Sequence, residues 1–167
     1  MSKLLRYYTP GRVYFVTSVT YCRAPLLIDH FSIFWEAVER SLDRVRFEII
    51  AWVVLPEHFH MILDPKDNDL SGILRRLKLS FANQFYRQQD HSQGAIWQRR
   101  FWDHIIRDQE DMNRHIDYVH YNPVKHGLTE NPHQWRYSSF GKYLEDGYYS
   151  ADWGVNERLH FNGGYGE

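Results

Sequence analysis

The sequence predicts an α+β fold of the ferredoxin-like sandwich type, with a central antiparallel sheet and helices on one face. Three observations carry that expectation. Short runs rich in β-branched and aromatic residues alternate with apolar stripes at helical spacing. Their order is strand, helix, strand, strand, helix, strand, helix, whose first six members form the split β-α-β sequence. A chain of 167 residues is long enough for one such core and too short for two.

Residues 12–20 read Arg-Val-Tyr-Phe-Val-Thr-Ser-Val-Thr after Pro10-Gly11, the composition of a strand introduced by a turn. Asp29 offers an N-cap to a first helix, in which Phe31, Phe34, Trp35, Val38, Leu42 and Val45 recur on one face. Residues 47–55 are apolar enough for a central strand, Pro56-Glu57 turns the chain, and residues 58–63 return as a third strand. After a polar connection, Leu70, Ile73, Leu74, Leu77, Phe81 and Phe85 stripe a long second helix. A loop containing Gly94 leads to a short fourth strand at 101–107. Asp108 then caps a third helix whose buried stripe is Met112, Ile116 and Val119. Beyond Gly127 the pattern dissolves into aromatic-rich loops, and Gly163-Gly164-Tyr165-Gly166 reads as a frayed end. The expected division is a unit at 1–130 and an extension at 131–167.

Apolar residues at 43% and charged residues at 25% describe a soluble globular chain. No apolar run approaches the roughly 18 residues of a membrane span, and the N-terminus lacks the apolar stretch of a secretory signal. The lone Cys22 forbids an internal disulfide or a cysteine-cluster zinc site, so a cytoplasmic location is expected. Twelve Tyr, ten Phe and six Trp fill a core equally well or stack on unpaired bases, and composition leaves both open. Trp97, Phe101 and Trp102 are expected in the core. The net charge of −1 hides an uneven distribution. Between Ser71 and Arg100, Arg75, Arg76, Lys78, Arg87, Arg99 and Arg100 face only Asp90, whereas the last 37 residues carry three basic and five acidic groups. A basic middle fits a polyanion partner or an ordinary solvated face.

His58-Phe59-His60 lies in the third strand, where alternate residues share a face. Both imidazoles then point one way, half of a metal site, while Phe59 points into the core. Tyr118 and Asn122 are four apart on the third helix and share a face, with Tyr118 off the buried stripe. Asn122 offers a carboxamide oxygen to a metal. It also precedes Pro123, which disfavours helical geometry and equally makes Asn122 an N-cap of a new turn.

The strings Ala51-Trp-Val-Val-Leu-Pro-Glu-His-Phe-His-Met, Trp97-Gln-Arg-Arg-Phe-Trp-Asp-His and Asp117-Tyr-Val-His-Tyr-Asn-Pro-Val-Lys-His-Gly-Leu, in that order, resemble the single-tyrosine HUH transposases. More narrowly they resemble the REP-associated tyrosine transposases, from about Arg6 to Trp153. The resemblance implies an HUH endonuclease fold, His58 and His60 as metal ligands, Tyr118 as nucleophile and Asn122 at the variable third-ligand position. It implies Mg²⁺ or Mn²⁺ as cofactor and strand transfer through a 5′-phosphotyrosine. The implied partner is single-stranded or hairpin DNA of the repeated extragenic palindrome type. Oligomeric state is left as monomer or homodimer. Tyr7, Tyr8, Pro10, Gly11 and Arg12 fall where relatives approach a single-stranded tag beside the hairpin, and they read equally well as a plain lead-in to the first strand. Arg12, Arg75, Arg76, Lys78, Arg87, Arg99 and Arg100 are the candidate DNA contacts; Tyr121 is not a candidate nucleophile. Two rival functions remain: a catalytically silent nucleic-acid-binding module and a metal-dependent phosphodiesterase that uses water.

Overall fold

The computed structural model describes residues 12–89 and 94–167; Tyr7, Tyr8, Pro10, Gly11 and Asp90 lie outside them. Four strands, β1 (Tyr14–Val19), β2 (Glu48–Val54), β3 (His58–Asp64) and β4 (Trp102–Ile105), form an antiparallel sheet in the order β2-β3-β1-β4. That is the order a split β-α-β pair produces when β3 and β1 fill the centre. The helices are α1 (Phe31–Arg44), α2 (Leu70–Gln89), α3 (Gln109–Lys125) and the short α4 (Phe140–Glu145).

Strand alternation sorts the core into two layers. Phe59, Met61 and Leu63 of β3, with Val16 of β1, meet Phe34 and Val38 of α1 and Leu74, Leu77 and Phe81 of α2. Trp97 joins this layer and Phe101 packs against it, as expected of core aromatics. On the other side, Phe15, Ala51, Val53 and Ile62 meet Met112, Ile116 and Val119 of α3 and Phe140 and Tyr143 of α4. The second face of the sheet is therefore covered by α3 and the chain that follows it. Residues beyond α3 also shield a sheet edge. Ser138 bridges Val53, Val54 N–H donates to the Tyr137 carbonyl at 2.8 Å, and Ser139 N–H to that of Trp52 at 2.9 Å. Such pairing leaves β2 no open row of backbone groups.

Asp108 caps α3 as expected, its side chain accepting from Asp111 N–H at 2.7 Å. Asp29 does not cap α1, which begins after His30 without a side-chain cap bond. The N-cap reading of Asn122 also fails. α3 runs through Asn122 and Pro123 to Lys125, and Asn122 C=O accepts from His126 N–H at 3.0 Å. Proline deprives the helix of one backbone donor, but burial of Asn122 and Pro123 against the sheet layer holds the geometry. Packing has overridden the local preference.

Candidate active site

Period-two alternation puts the His58 and His60 side chains on the α3 side of β3, both with 0% exposure and ring centroids 4.8 Å apart. Each ring is held on its Nδ1 edge. Thr17, the register partner of His60 on β1, places Oγ1 2.7 Å from His60 Nδ1. Glu57 Oε1 stands 3.2 Å from His58 Nδ1 and 3.8 Å from the Arg23 guanidinium. Burial pushes the His60 imidazole down to about 3, which keeps it neutral at physiological pH.

One turn apart on α3, Tyr118 and Asn122 face these imidazoles, and the Tyr118 ring lies 5.4 Å from that of His60. Tyr118 lies off the helix's apolar stripe, yet it is completely buried. The C-terminal segment supplies the cover: Tyr165 stacks on Tyr118 at 3.7 Å between centroids and Phe161 meets it edge-on at 5.3 Å. Burial, reinforced by the nearby Glu167 carboxylate, pushes the phenol well above its ordinary value. Lys125, two turns along α3, places Nζ 3.2 Å from the phenol oxygen.

Residues 163–166 are not frayed. Gly166 adopts φ 74°, and a Cβ there would run into Trp102, so glycine lets the chain cross that ring. Glu167 then enters the site. Its Oε1 lies 2.9 Å from His60 Nε2 and 3.6 Å from His58 Nε2, and accepts from Asn122 Nδ2 at 2.7 Å. Its other oxygen pairs with Lys125 and lies 3.3 Å from His126 Nε2. Burial opposes ionisation of this carboxyl, but contacts from His126, His58, His60 and Asn122 outweigh it and hold the group below the usual carboxylate range.

The donor set fits a divalent cation. One donor atom each from His58, His60 and Glu167 lie within 4.8 Å of one another. His58 Nε2 and Asn122 Oδ1 are buried without a hydrogen-bond partner among the described residues. Orphaned buried acceptors are costly unless something positive meets them, and mixed imidazole and carbonyl donors suit Mn²⁺ better than they suit Mg²⁺. A second cluster, His104, Asp111 and His115, is of another kind. Asp111 already accepts from His104 at 2.8 Å, Arg107 N–H at 3.0 Å and Arg114 at 3.0 Å, an ion-pair hub at the start of α3.

The expected DNA contacts are not gathered at this site. Arg75, Arg76 and Arg87 are exposed on α2, across the sheet from Tyr118, and Arg99 and Arg100 are exposed beyond the segment that pairs with the end of β1. Arg75, Lys78 and Arg99 edge a cavity of about 540 Å³ floored by Leu74, Ile96 and Trp97. The Lys78 ammonium donates to the Gln98 carbonyl at 2.9 Å, and burial lowers its value. Arg12 makes a long, exposed pair with Asp67 at 3.5 Å. Tyr121 donates its hydroxyl to Glu157 C=O at 2.7 Å, away from the histidines.

Sequence reasoning missed Thr17, Glu57, Lys125, His126 and Glu167. Lys125 and His126 carried a signal, since they follow Tyr118 by seven and Asn122 by four and so share the helix face. Thr17 and Glu167 carried none, because both depend on long-range pairing.

Known proteins similar to this chain are found along nearly its whole length. The family model described as transposase, IS200-like, matches residues 12–122. A REP-associated tyrosine transposase of Escherichia coli is 38% identical over 158 residues, covering 92% of this chain and 91% of its own. A Haemophilus influenzae protein provisionally given the same name is 37% identical over 174 residues, covering 98% and 99%. A solved structure of a REP-associated tyrosine transposase bound to a REP hairpin superposes with a TM-score of 0.82 at 35% identity, covering 100% of this chain and 98% of that one.

Proposed function

The chain belongs to the IS200-like transposase family, and from that premise we propose that it cleaves and rejoins single-stranded DNA beside hairpin-forming repeats through Tyr118. The observation that carries the reading is the convergence, on one buried face, of Tyr118 with the unpartnered His58 Nε2 and Asn122 Oδ1. His58, His60 and Asn122 would hold Mn²⁺ or Mg²⁺. The ion supplies charge neutralisation and alignment of a phosphate, worth several kcal/mol.

The remaining work falls to the chain. Tyr118 oxygen bonds to phosphorus as the bond from phosphorus to the 3′-oxygen breaks; the phenol loses its proton and the leaving 3′-hydroxyl gains one. The product is a 5′-phosphotyrosine that stores the linkage energy, so a second 3′-hydroxyl reverses the step without a nucleotide cofactor. Lys125, close to the phenol oxygen, favours the charge that develops there. Arg12, Arg75, Arg76, Lys78, Arg87, Arg99 and Arg100 contribute phosphate contacts, which position the DNA rather than read its sequence. Their spread beyond the site suits a hairpin stem that extends around the sheet.

We read residues 1–130 as the catalytic unit and 131–167 as its cover. A nucleophile without exposed surface cannot reach a phosphate, so residues 161–167 must withdraw before cleavage. Their docking is the resting state.

The test is incubation of labelled hairpin oligonucleotides, drawn from palindromic repeats flanking the gene, with Mn²⁺ or Mg²⁺. The expected outcome is a metal-dependent DNA-linked band on a denaturing protein gel that vanishes in Tyr118→Phe. Metal-dependent cleavage that survives Tyr118→Phe would instead establish the water-using phosphodiesterase. Tight hairpin binding without cleavage by either protein would establish the silent binding module.

A further inference from the structure

The segment that covers Tyr118 carries a planar ring and an anion two residues apart. Tyr165 lies on Tyr118 with centroids 3.7 Å apart and planes 11° from parallel. Its ring also meets His115 at 5.3 Å and Phe15 edge-on at 5.8 Å. Glu167 then sets its carboxylate between the two histidines and Lys125. Gly166 joins ring to anion, where Trp102 leaves no room for a side chain. A flat ring tethered to an anion is also the plan of a nucleotide.

We propose that residues 165–167 fill the place of one nucleotide, and that Tyr118, His115 and Phe15 wall a niche for an unpaired base beside the scissile phosphate. The base takes the position of the Tyr165 ring, and the phosphate that of the Glu167 carboxylate. The inference rests on the reading of Tyr118 as nucleophile and of residues 161–167 as a cover that withdraws.

The walls suit such a guest. Aromatic faces accept any base, because every base has a π-face. His115 is fixed independently of the cover: its Nδ1–H donates to the Asp111 carbonyl at 2.8 Å, and its ring is backed by His104, 4.6 Å away and 14° from parallel. The niche therefore keeps its shape when Tyr165 leaves, which lowers the cost of binding. Cations also stand at both ends. Arg114 precedes Tyr118 by four residues and Lys125 follows it by seven, so both share its helix face. Buried Asp111 holds Arg114 at 3.0 Å, within electrostatic reach of the Tyr165 hydroxyl, and Lys125 Nζ lies 3.2 Å from the phenol oxygen of Tyr118. The arginines on α2 lie across the sheet, whereas these two flank the niche itself.

The test uses the full chain with Tyr118→Phe, which keeps the ring but stops cleavage, and with Tyr165→Ala and Glu167→Ala, which vacate the niche. Binding of a fluorescent hairpin oligonucleotide in Mn²⁺ is read by anisotropy while one abasic site is stepped through its single-stranded part. The series is repeated with His115→Ala and His115→Phe. One position is expected to respond, losing about tenfold in affinity when its base is removed. His115→Ala should cost about as much on the intact strand and nothing further on that abasic strand; His115→Phe, which restores a ring, should bind as the parent does. A loss from His115→Ala that is equal on the intact strand and every abasic strand, or no loss at all, overturns the inference. Adduct formation by the wild type on the same oligonucleotide is scored separately. Cleavage through Tyr118 with no responsive position, or with one that does not border the cleavage point, overturns the niche and leaves the nucleophile standing. A responsive position in a protein that forms no adduct keeps the niche and overturns the reading of Tyr118.

Discussion

The two faces of the sheet are built on different terms, although the same strand serves both. Toward α1 and α2, β3 presents Phe59, Met61 and Leu63 to a layer of apolar side chains. Toward α3 it presents His58, His60 and Ile62, and the layer there also buries Thr17, Asn122 and His120. The first face gains stability from the apolar residues it hides, although Ser18, the register partner of Phe59, buries its Oγ there without a hydrogen-bond partner among the described residues. The second leaves His58 Nε2 and Asn122 Oδ1 buried without hydrogen-bond partners among the described residues, an arrangement that costs stability and fits the proposed cation site. Stability and chemistry are thus separated by the thickness of one sheet, and alternate residues of one strand should respond oppositely to mutation.

The largest expected effects come from neighbours on β3. His58→Leu removes one of the proposed ligands and should lower the cleavage rate by about a thousandfold, the equivalent of several kcal/mol. Its melting temperature should hold or rise, because an orphaned buried nitrogen is replaced by an apolar group of similar size. Phe59→Ala is expected to do the reverse, losing about 3–5 kcal/mol in urea unfolding through the cavity it leaves in the α1/α2 layer. Equal destabilisation by the two variants would erase the distinction between the faces.

A smaller effect concerns the cover. The double variant Tyr165→Ala, Glu167→Ala removes the ring stacked on Tyr118 and the carboxylate among the histidines. Single-turnover cleavage should rise by about tenfold, corresponding to a docking preference of roughly 1.4 kcal/mol. An unchanged rate would mean that the segment is no barrier to the substrate.

The smallest effect is a pH dependence on the α3 face. Asp117 accepts from the Tyr149 hydroxyl at 2.9 Å, and burial pushes its carboxyl from 3.8 up to about 6. A carboxyl raised in the folded state binds its proton more tightly there than in the unfolded chain. Its contribution to stability is full below 3.8 and is lost as pH rises through about 6. Between pH ~4 and ~7 the wild type should lose on the order of 1 kcal/mol that Asp117→Asn does not, a partly exposed group giving less than its full shift. Parallel profiles in thermal melts would show that the burial has no such consequence.

The separation of faces also explains what the sequence made legible. The apolar face was readable element by element, because its signals are local: the period of β3 and the stripes of α1 and α2 lie within a few residues of what they determine. The pairing of His58 with His60 was readable for the same reason. The rest of the site was hidden by distance along the chain. Thr17 meets His60 only through strand register, and Glu167 arrives from the far end. Asn122 looked like a cap because Pro123 argues locally against a helix, whereas burial against the sheet decides otherwise. The placement of the α2 arginines across the sheet from Tyr118 depends on which face each helix takes, which composition does not encode.

The most direct test of the central claim is to find the atom that carries the DNA. A hairpin oligonucleotide would be cleaved in Mn²⁺, the protein digested with protease, and the DNA-linked peptide sequenced by mass spectrometry. The account predicts one adduct, on the peptide of α3 that contains Tyr118, with the phosphate on its phenol oxygen. An adduct on Tyr121 or Tyr165, or complete cleavage with no adduct at all, would contradict it.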